Sequence, residues 1–187
     1  VLATGSQPSG TGFQRQLPGQ AILPGVEFAN VWSVEDVMGL RAKLGKKVVL
    51  IDDTGDWRGA GTAWAMAEKG HSVQIITAWP LVGYWLQRTA GDGALRARLQ
   101  KLGVSWLTEA AVLSWHQDHA LVRNLLDASE QIIEADSLVL ATTNAVEDSL
   151  SQELNTMGVS HHLVGDACAA RLAVQAIYEG RALGRQL

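Results

Sequence analysis

The sequence predicts an α/β fold of three layers, built on a parallel central sheet and carrying a β-meander. Three observations predict it. From Lys46 to Thr77 the chain reads strand, loop, helix, strand, in the roughly 30 residues that a βαβ unit needs. An apolar run ending in Ala-Thr occurs twice, as VLATG from Val1 to Gly5 and as SLVLATT from Ser137 to Thr143. Between them lie three short β-like runs with polar breaks, Val104 to Leu107, Ala111 to Trp115 and Ala120 to Leu125, which fit an antiparallel meander.

In chain order, Val1 to Gly5 is a short apolar strand ending in a small-residue turn. Ser6 to Pro24 holds three of the four prolines and several glycines, so it is loop. Ser33 with Asp36 three residues on resembles a capping box, and Val34, Val37, Met38 and Leu40 give a short amphipathic surface helix. Val48 to Ile51 is an apolar β-branched run, the pattern of a strand buried on both faces. Ala60 to Glu68 carries helix formers, and Gly70 ends that helix; Trp64 within it packs on a neighbouring element. Val73 to Ile76 is the next strand. The stretch from Ala78 to Thr89 is crowded by Trp79, Tyr84 and Trp85, which either mark a partner surface or pack on the domain's own core. Gly93 to Leu102 is a helix with Leu95, Leu99 and Leu102 on one face and a solvated basic face of Arg96, Arg98 and Lys101; Gly103 caps it. His116 and His119 flank a meander turn and face solvent. No third metal ligand accompanies them, and no metal site is expected.

The 187 residues allow one domain or two small ones. The net charge of −4 gives no basic footprint for nucleic acid or an anionic membrane. No signal peptide and no bilayer-length apolar run is visible, so a cytoplasmic location is the default. A single cysteine, Cys168, excludes an internal disulfide and a four-cysteine iron–sulfur cluster within this chain. The first residue is Val1, inside a strand, and the expectation is a piece of a longer protein.

The loop after the first central strand carries most information. A βαβ unit that binds a dinucleotide places Gly-x-Gly-x-x-Gly here, with the pyrophosphate over the helix N-terminus. Counted from Ile51, those positions hold Asp52, Thr54 and Trp57; a two-residue insertion puts Gly59 at the third, where helix packs closely on strand. Asp52 and Asp53 sit where pyrophosphate would lie. One carboxylate about 5 Å from a phosphate charge costs roughly 3 kcal/mol at an effective dielectric of about 20. The second strand ends in Ile76 and Thr77, without the acid or Arg that selects NAD or NADP. Two readings follow: a Rossmann-like FAD/NAD(P)-binding fold with a degenerate nicotinamide-nucleotide site, or an α/β unit that never bound a nucleotide.

The recurrence of Ala-Thr strands at both ends of the βαβ-plus-meander module suggests a chain that leaves one sheet, builds an inserted domain and returns. The expected organisation is an N-flank at 1–34, an inserted NAD(P)-binding-like domain at 35–140, and a return at 141–187. After the return, His162 to Gly165 reads as a strand, Asp166 follows, and a helix runs from about Leu172 to Leu183. A carboxylate beside helix-terminal N–H groups suits a phosphate on the amides and a sugar or ribityl hydroxyl on the acid, or Asp166 merely caps the helix. Cys168 reads as a small packed residue, and His161 and His162 as structural.

VLATG, the βαβ module, LVLATT and then LVGDACAARLAVQAIYEGRALGR together resemble two-dinucleotide-domain flavoproteins of the glutathione reductase type. The wording is closer still to the C-terminal region of the trimethylamine dehydrogenase and 2,4-dienoyl-CoA reductase family of NADH:flavin oxidoreductases. PGVEFANVWSVEDVM, IDDTGDW and AEKGHSVQIIT resemble its amine-dehydrogenase branch. The resemblance implies FAD or ADP at the FAD-like domain, contacted by Gly165 and Asp166 with Thr4 and Gly5 close by. Gly59 belongs to the degenerate NAD(P) loop. FMN and a 4Fe–4S cluster are implied in an N-terminal TIM barrel outside this chain, so no catalytic residue is expected within it, and the fragment alone is expected to be inactive. A homo-oligomeric parent oxidoreductase and an electron-transferring flavoprotein as acceptor complete the expectation.

Overall fold

The computed structural model describes residues 1–187. In chain order the first elements are β1 (Ser6–Gln7), β2 (Val31–Ser33), α1 (Val34–Met38) and β3 (Lys47–Asp52). Then come α2 (Trp57–Glu68), β4 (Ser72–Ile76), α3 (Asp92–Lys101) and β5 (Ser105–Leu107). Next are β6 (Ala110–Trp115), β7 (His119–Asn124), β8 (Glu130–Glu134) and β9 (Ser137–Ala141). The chain ends with β10 (Ala145–Val146), α4 (Ser149–Thr156) and α5 (Ala173–Leu183). It packs as two units: Gly10–Thr142, and Val1–Ser9 together with Thr143–Leu187. The residues expected to form the N-flank are thus divided, and β2 lies in the larger unit. No helix is long and apolar enough to cross a membrane.

The larger unit is an α/β sandwich around a five-stranded parallel sheet in the order β2-β9-β3-β4-β5. The pleat decides its two cores. Val48 and Leu50 of β3 point to the face covered by α1, α2 and α3, while Val49 and Ile51 point to the meander. Both faces are dry, which is why β3 and β9 read as unbroken apolar runs. Trp64 packs on the helical core from its edge, with Arg98 over its ring.

α1 is capped as its sequence predicts: the Ser33 hydroxyl accepts from the Asp36 N–H at 3.1 Å, and Asp36 accepts from the Ser33 N–H at 3.2 Å. The Ser33 hydroxyl also donates to Asp36 Oδ2 at 2.7 Å, and this bond above all, with the one from the Ser33 N–H, holds the Asp36 carboxyl below the usual carboxylate range. Its apolar stripe is shorter than expected, because only Val34 and Val37 are buried; Met38 and Leu40 are exposed, and Leu40 takes a positive φ of 58° beyond the helix.

The meander is displaced by one strand from the expectation. β5 pairs parallel with β4 and joins the central sheet; the meander is β6-β7-β8. Its third strand, EQIIE, hides in the sequence because it is an edge strand that buries Ile133 alone and exposes Ile132 and both glutamates.

The open edge of β6 is closed by the proline-rich loop. The buried Gln14 side chain donates to the Val112 carbonyl at 2.7 Å and accepts from the Val112 N–H at 2.9 Å, which replaces a missing strand at the bulge between Val112 and Ser114. Pro24 accepts from the Trp115 N–H at 2.8 Å. Gly25 follows at φ +87°, where a Cβ would lie 1.9 Å from the Trp115 carbonyl oxygen.

The smaller unit buries little. Leu2 and Leu163 form one parallel bridge, β1 pairs antiparallel with β10, and α5 buries none of its residues. The expected strands at Val1 to Gly5 and His162 to Gly165 reduce to that single bridge, because neither has a second neighbour to pair with.

Gln14→Ala leaves both Val112 backbone groups buried and unpaired, so it is expected to cost about 2–4 kcal/mol, against under about 1 kcal/mol for Gln20→Ala at the less buried Leu113 carbonyl. Urea denaturation of the two variants checks this; equal losses would contradict it.

Candidate functional site

The loop from Asp52 to Trp57 joins the C-terminal end of β3 to α2, the place where open α/β sheets take ligands. Asp52 is fully buried. Its Oδ1 accepts from the Gly55 N–H at 2.9 Å and from the Thr54 hydroxyl at 3.2 Å. Its Oδ2 is buried with no partner. Burial pushes the Asp52 carboxyl up to about 6; the Gly55 N–H and Thr54 hydroxyl oppose this, and the Asp56 and Asp53 charges add to it. Asp56 is the N-cap of α2 and accepts from the Arg58 N–H at 2.8 Å, so the helix begins three residues earlier than its run of helix formers suggests.

Gly59 stands on the first turn of α2, against the Asp52 side chain. A Cβ there would lie 2.5 Å from Asp52 Oδ1 and 2.7 Å from its Cγ. The close helix–strand approach expected of the third glycine is present, and a carboxylate fills it.

The rest of the loop is closed from within. Asp53 Oδ1 accepts from the Arg15 N–H at 3.0 Å, and Oδ2 from the Arg15 side chain at 2.8 Å. The same guanidinium donates to the Asp53 carbonyl. Trp79 Nε1 also donates to that carbonyl, at 3.0 Å, and lies over Gly55, whose Cβ would be 2.7 Å from the indole nitrogen. Arg15 stacks on Trp79 at 5.5 Å, Trp79 on Tyr84 at 4.7 Å, and Trp85 meets both edge-on. Thr77, where a ribose-selecting residue would stand, is buried and donates to the Asp52 carbonyl at 2.7 Å. Arg58, the cation of the first turn, is committed to Glu35 at 2.8 Å and to the Thr142 carbonyl.

Within the smaller unit the two ends of the chain meet. The Ser6 hydroxyl, next to Gly5, donates to Asp166 Oδ2 at 2.9 Å, and the Arg171 N–H reaches Asp166 Oδ1 at 3.2 Å. Thr4 donates to the Glu147 carbonyl at 2.6 Å, and Gly5 turns at φ +84° with open space where a Cβ would be. Asp166 lies in a three-residue 3-10 turn, Gly165–Ala167, rather than at the start of α5. The Gly165 N–H is taken by the Glu179 carboxylate at 2.8 Å, and Glu179 also pairs with Arg171. These residues fit a sugar hydroxyl, because Asp166 is held in place by two donors and stays partly exposed. They do not fit a phosphate on the Gly165 amide. Ser6 and Glu179 escaped the sequence reading; Ser6 was signalled only by its position after Gly5, and Glu179 by nothing local. Cys168 is exposed, not packed, because this unit offers it no core. His116 and His119 stack on each other at 4.7 Å near the surface, and no three His, Cys, Asp or Glu side chains are grouped to hold a metal ion.

No protein-family model matches the chain. It is 24% identical over 215 residues to dimethylamine dehydrogenase of Hyphomicrobium sp. (strain x), across 100% of this chain and 29% of that one. It superposes on histamine dehydrogenase of Rhizobium sp. 4-9 with a TM-score of 0.90 and 27% identity, over 99% of this chain and 28% of that chain. The 6-hydroxypseudooxynicotine amine oxidase of Pseudomonas geniculata N1 gives 0.89 and 27%, over 97% and 28%. At the level of fold alone, the flavoprotein disulfide reductase RclA of Escherichia coli gives 0.63 and 17%, over 98% and 43%. The chain therefore spans less than a third of the length of its amine-oxidising relatives.

Asp52 contributes to the pH dependence of stability with a sign opposite to that of Asp36. Its folded pKa lies above the ordinary value, so its contribution is fully present below about pH 4 and is lost as pH rises through about 6, by about 2–3 kcal/mol. Asp52→Asn removes the titration. Its stability relative to the parent chain is expected to rise by about that amount between pH 4 and pH 7.5; a difference that stays flat across this range would contradict the placement of Asp52.

Proposed function

We propose, from the chain's kinship with the C-terminal nucleotide-binding region of trimethylamine dehydrogenase-like flavoproteins, that it is a scaffold module of a flavin-dependent amine dehydrogenase or N-demethylase. Its NAD(P)-type site is degenerate. The observation that carries this is the Asp52 loop: a buried carboxylate against Gly59, an Asp53–Arg15 pair and Trp79 fill the volume that a pyrophosphate needs, and Asp52 and Asp56 take the Gly55 and Arg58 N–H groups. A reductase that draws hydride from a nicotinamide cofactor needs that site open; a dehydrogenase that passes electrons to an external carrier does not.

FAD or ADP is assigned to the smaller unit. Asp166, oriented by Ser6 and Arg171, would accept from a sugar or ribityl hydroxyl, and Thr4, Gly5 and Gly165 would lie beside it. A bound FAD would supply redox chemistry there, and ADP binding alone. FMN, a 4Fe–4S cluster, the barrel that holds them and the catalytic residues belong to the remainder of a longer, homo-oligomeric protein. The half-buried stack of Trp79, Tyr84 and Trp85, flanked by the exposed Arg88 over Trp85 at 4.8 Å, is the surface proposed to meet an electron-transferring flavoprotein.

Two other readings each have one observation behind them. An NAD(P)H-dependent enoate-type reductase keeps the third glycine, as Gly59 does. A non-catalytic assembly module is favoured by α5, which exposes Val174, Ile177 and Tyr178 on one side.

Mass identification of nucleotides released from the denatured full-length protein, followed by NADPH titration of the native one, separates these. The expected outcome is FMN with ADP or FAD and no response to NADPH. Rapid flavin bleaching by NADPH favours the reductase, and the absence of any released nucleotide favours the assembly module. Tyr84→Ala with Trp85→Ala is expected to slow acceptor reduction about tenfold while amine-dependent flavin reduction is unchanged; unchanged acceptor rates would remove the docking assignment.

A further inference from the structure

We infer that the protein docking on the Trp79, Tyr84 and Trp85 stack presents an acidic patch, and that one of its carboxylates seats on Arg88. This rests on the docking reading of that stack and names the chemistry of the partner. Three arginines of the chain lie over an aromatic ring: Arg15 over Trp79 at 5.5 Å, Arg98 over Trp64 at 5.5 Å, and Arg88 over Trp85 at 4.8 Å. Two of them also hold a carboxylate, Arg15 that of Asp53 at 2.8 Å and Arg98 that of Glu68 at 2.6 Å. Arg88 has the ring and no carboxylate. The remaining arginines of the larger unit, Arg41, Arg58, Arg96 and Arg123, are each paired with an acid, so Arg88 is its one exception. A guanidinium stacked on a ring keeps a planar fork of donors that matches a carboxylate. At Arg88 that carboxylate has to come from another molecule.

The cation is held on a fixed base. Arg88 belongs to a short 3-10 turn, Tyr84–Thr89, bounded by the left-handed residues Gly83 and Ala90. The Trp85 N–H ties this turn to the Gly55 carbonyl at 2.9 Å. The Trp85 ring beneath the guanidinium is braced edge-on by Trp79 at 5.5 Å and by Tyr84 at 5.3 Å. The acids of the adjoining segments are already committed. Asp53 holds Arg15, Asp56 caps α2, and Asp92 holds Arg96. The exposed Arg88 is therefore an uncompensated positive charge in a chain whose net charge is −4. Ordered aromatic rings beside an arginine are the composition of an interface hot spot. Their rigidity lowers the entropy cost of docking, and the charge sets partner choice and association rate.

The test is oxidation of the amine-reduced, full-length protein by a purified electron-transferring flavoprotein, at ionic strengths from about 0.02 to 0.3 M. Each rate constant is divided by that for a neutral quinone acceptor, so a general loss of activity cancels. The ratio for the parent protein is expected to fall as salt rises. Arg88→Glu is expected to lower it at least about tenfold at low salt and to abolish or reverse its salt dependence. Arg88→Lys keeps the charge and loses the fork; it is expected to keep the salt dependence and lose about two- to threefold. A parent ratio that rises with salt, or an Arg88→Glu protein that keeps the parent ratio and salt dependence, would overturn the inference. Should Tyr84→Ala with Trp85→Ala still slow the acceptor in that case, the docking surface stands and only its acidic partner is lost. Should that pair also have no effect, the docking reading falls with it.

Discussion

The contact between the Asp52 carboxylate and the α-carbon of Gly59 is the constraint from which the rest of the larger unit follows. It sets how closely α2 lies on β3. That approach brings Ala60, Ala63 and Met66 into the helical core beside Val48 and Leu50. The Asp52 backbone also ties the loop to the sheet, since its carbonyl accepts from the Thr77 hydroxyl just past β4. A glycine at position 52 would leave the space beside Gly59 empty; the aspartate side chain fills it. Burial of that charge is unfavourable and raises its pKa to about 6, yet the ionised form still dominates at pH 7, where the Gly55 N–H and Thr54 hydroxyl are its partners.

Around this contact the loop has become a structural part. Arg15 comes from the proline-rich segment and binds Asp53 through three donors, and the same segment closes the edge of β6 through Gln14. Residues that would face a nucleotide in an open site instead join the meander side of the unit to the sheet. The smaller unit shows the opposite economy of burial. Its side-chain bonds gather at Asp166 and at Glu147, which takes Thr4, Gln7 and Ser149, while α5 leaves Val174, Ile177 and Tyr178 exposed. The chain spans less than a third of the length of its amine-oxidising relatives.

Much of this was legible from residues. The βαβ run, the capping box at Ser33, and the roles of Gly59 and Gly70 each rest on local chemistry, and local chemistry is what a sequence displays. β3 and β9 were visible because both faces are buried. β8 was not, because an edge strand with two glutamates and one buried isoleucine looks like a loop, and its invisibility assigned β5 to the wrong sheet. Gln14 illustrates the other limit: nothing beside it in sequence announces that its amide will pair with Val112. At the candidate site, the aspartates were conspicuous by type and position. Their division of labour was not, since Arg15 and Trp79 reach the loop from distant segments. Cys168 is exposed although a free cysteine packs readily as a small apolar residue, because its unit has little interior to bury it in.

The most direct measurement is a crystal structure of the full-length protein grown with a saturating concentration of NADPH. The account predicts Asp52 Oδ1 within hydrogen-bonding distance of the Gly55 N–H, Trp79 over Gly55, and no pyrophosphate over α2. A pyrophosphate seated at that helix N-terminus, with the Asp52 side chain turned away from Gly59, would contradict it.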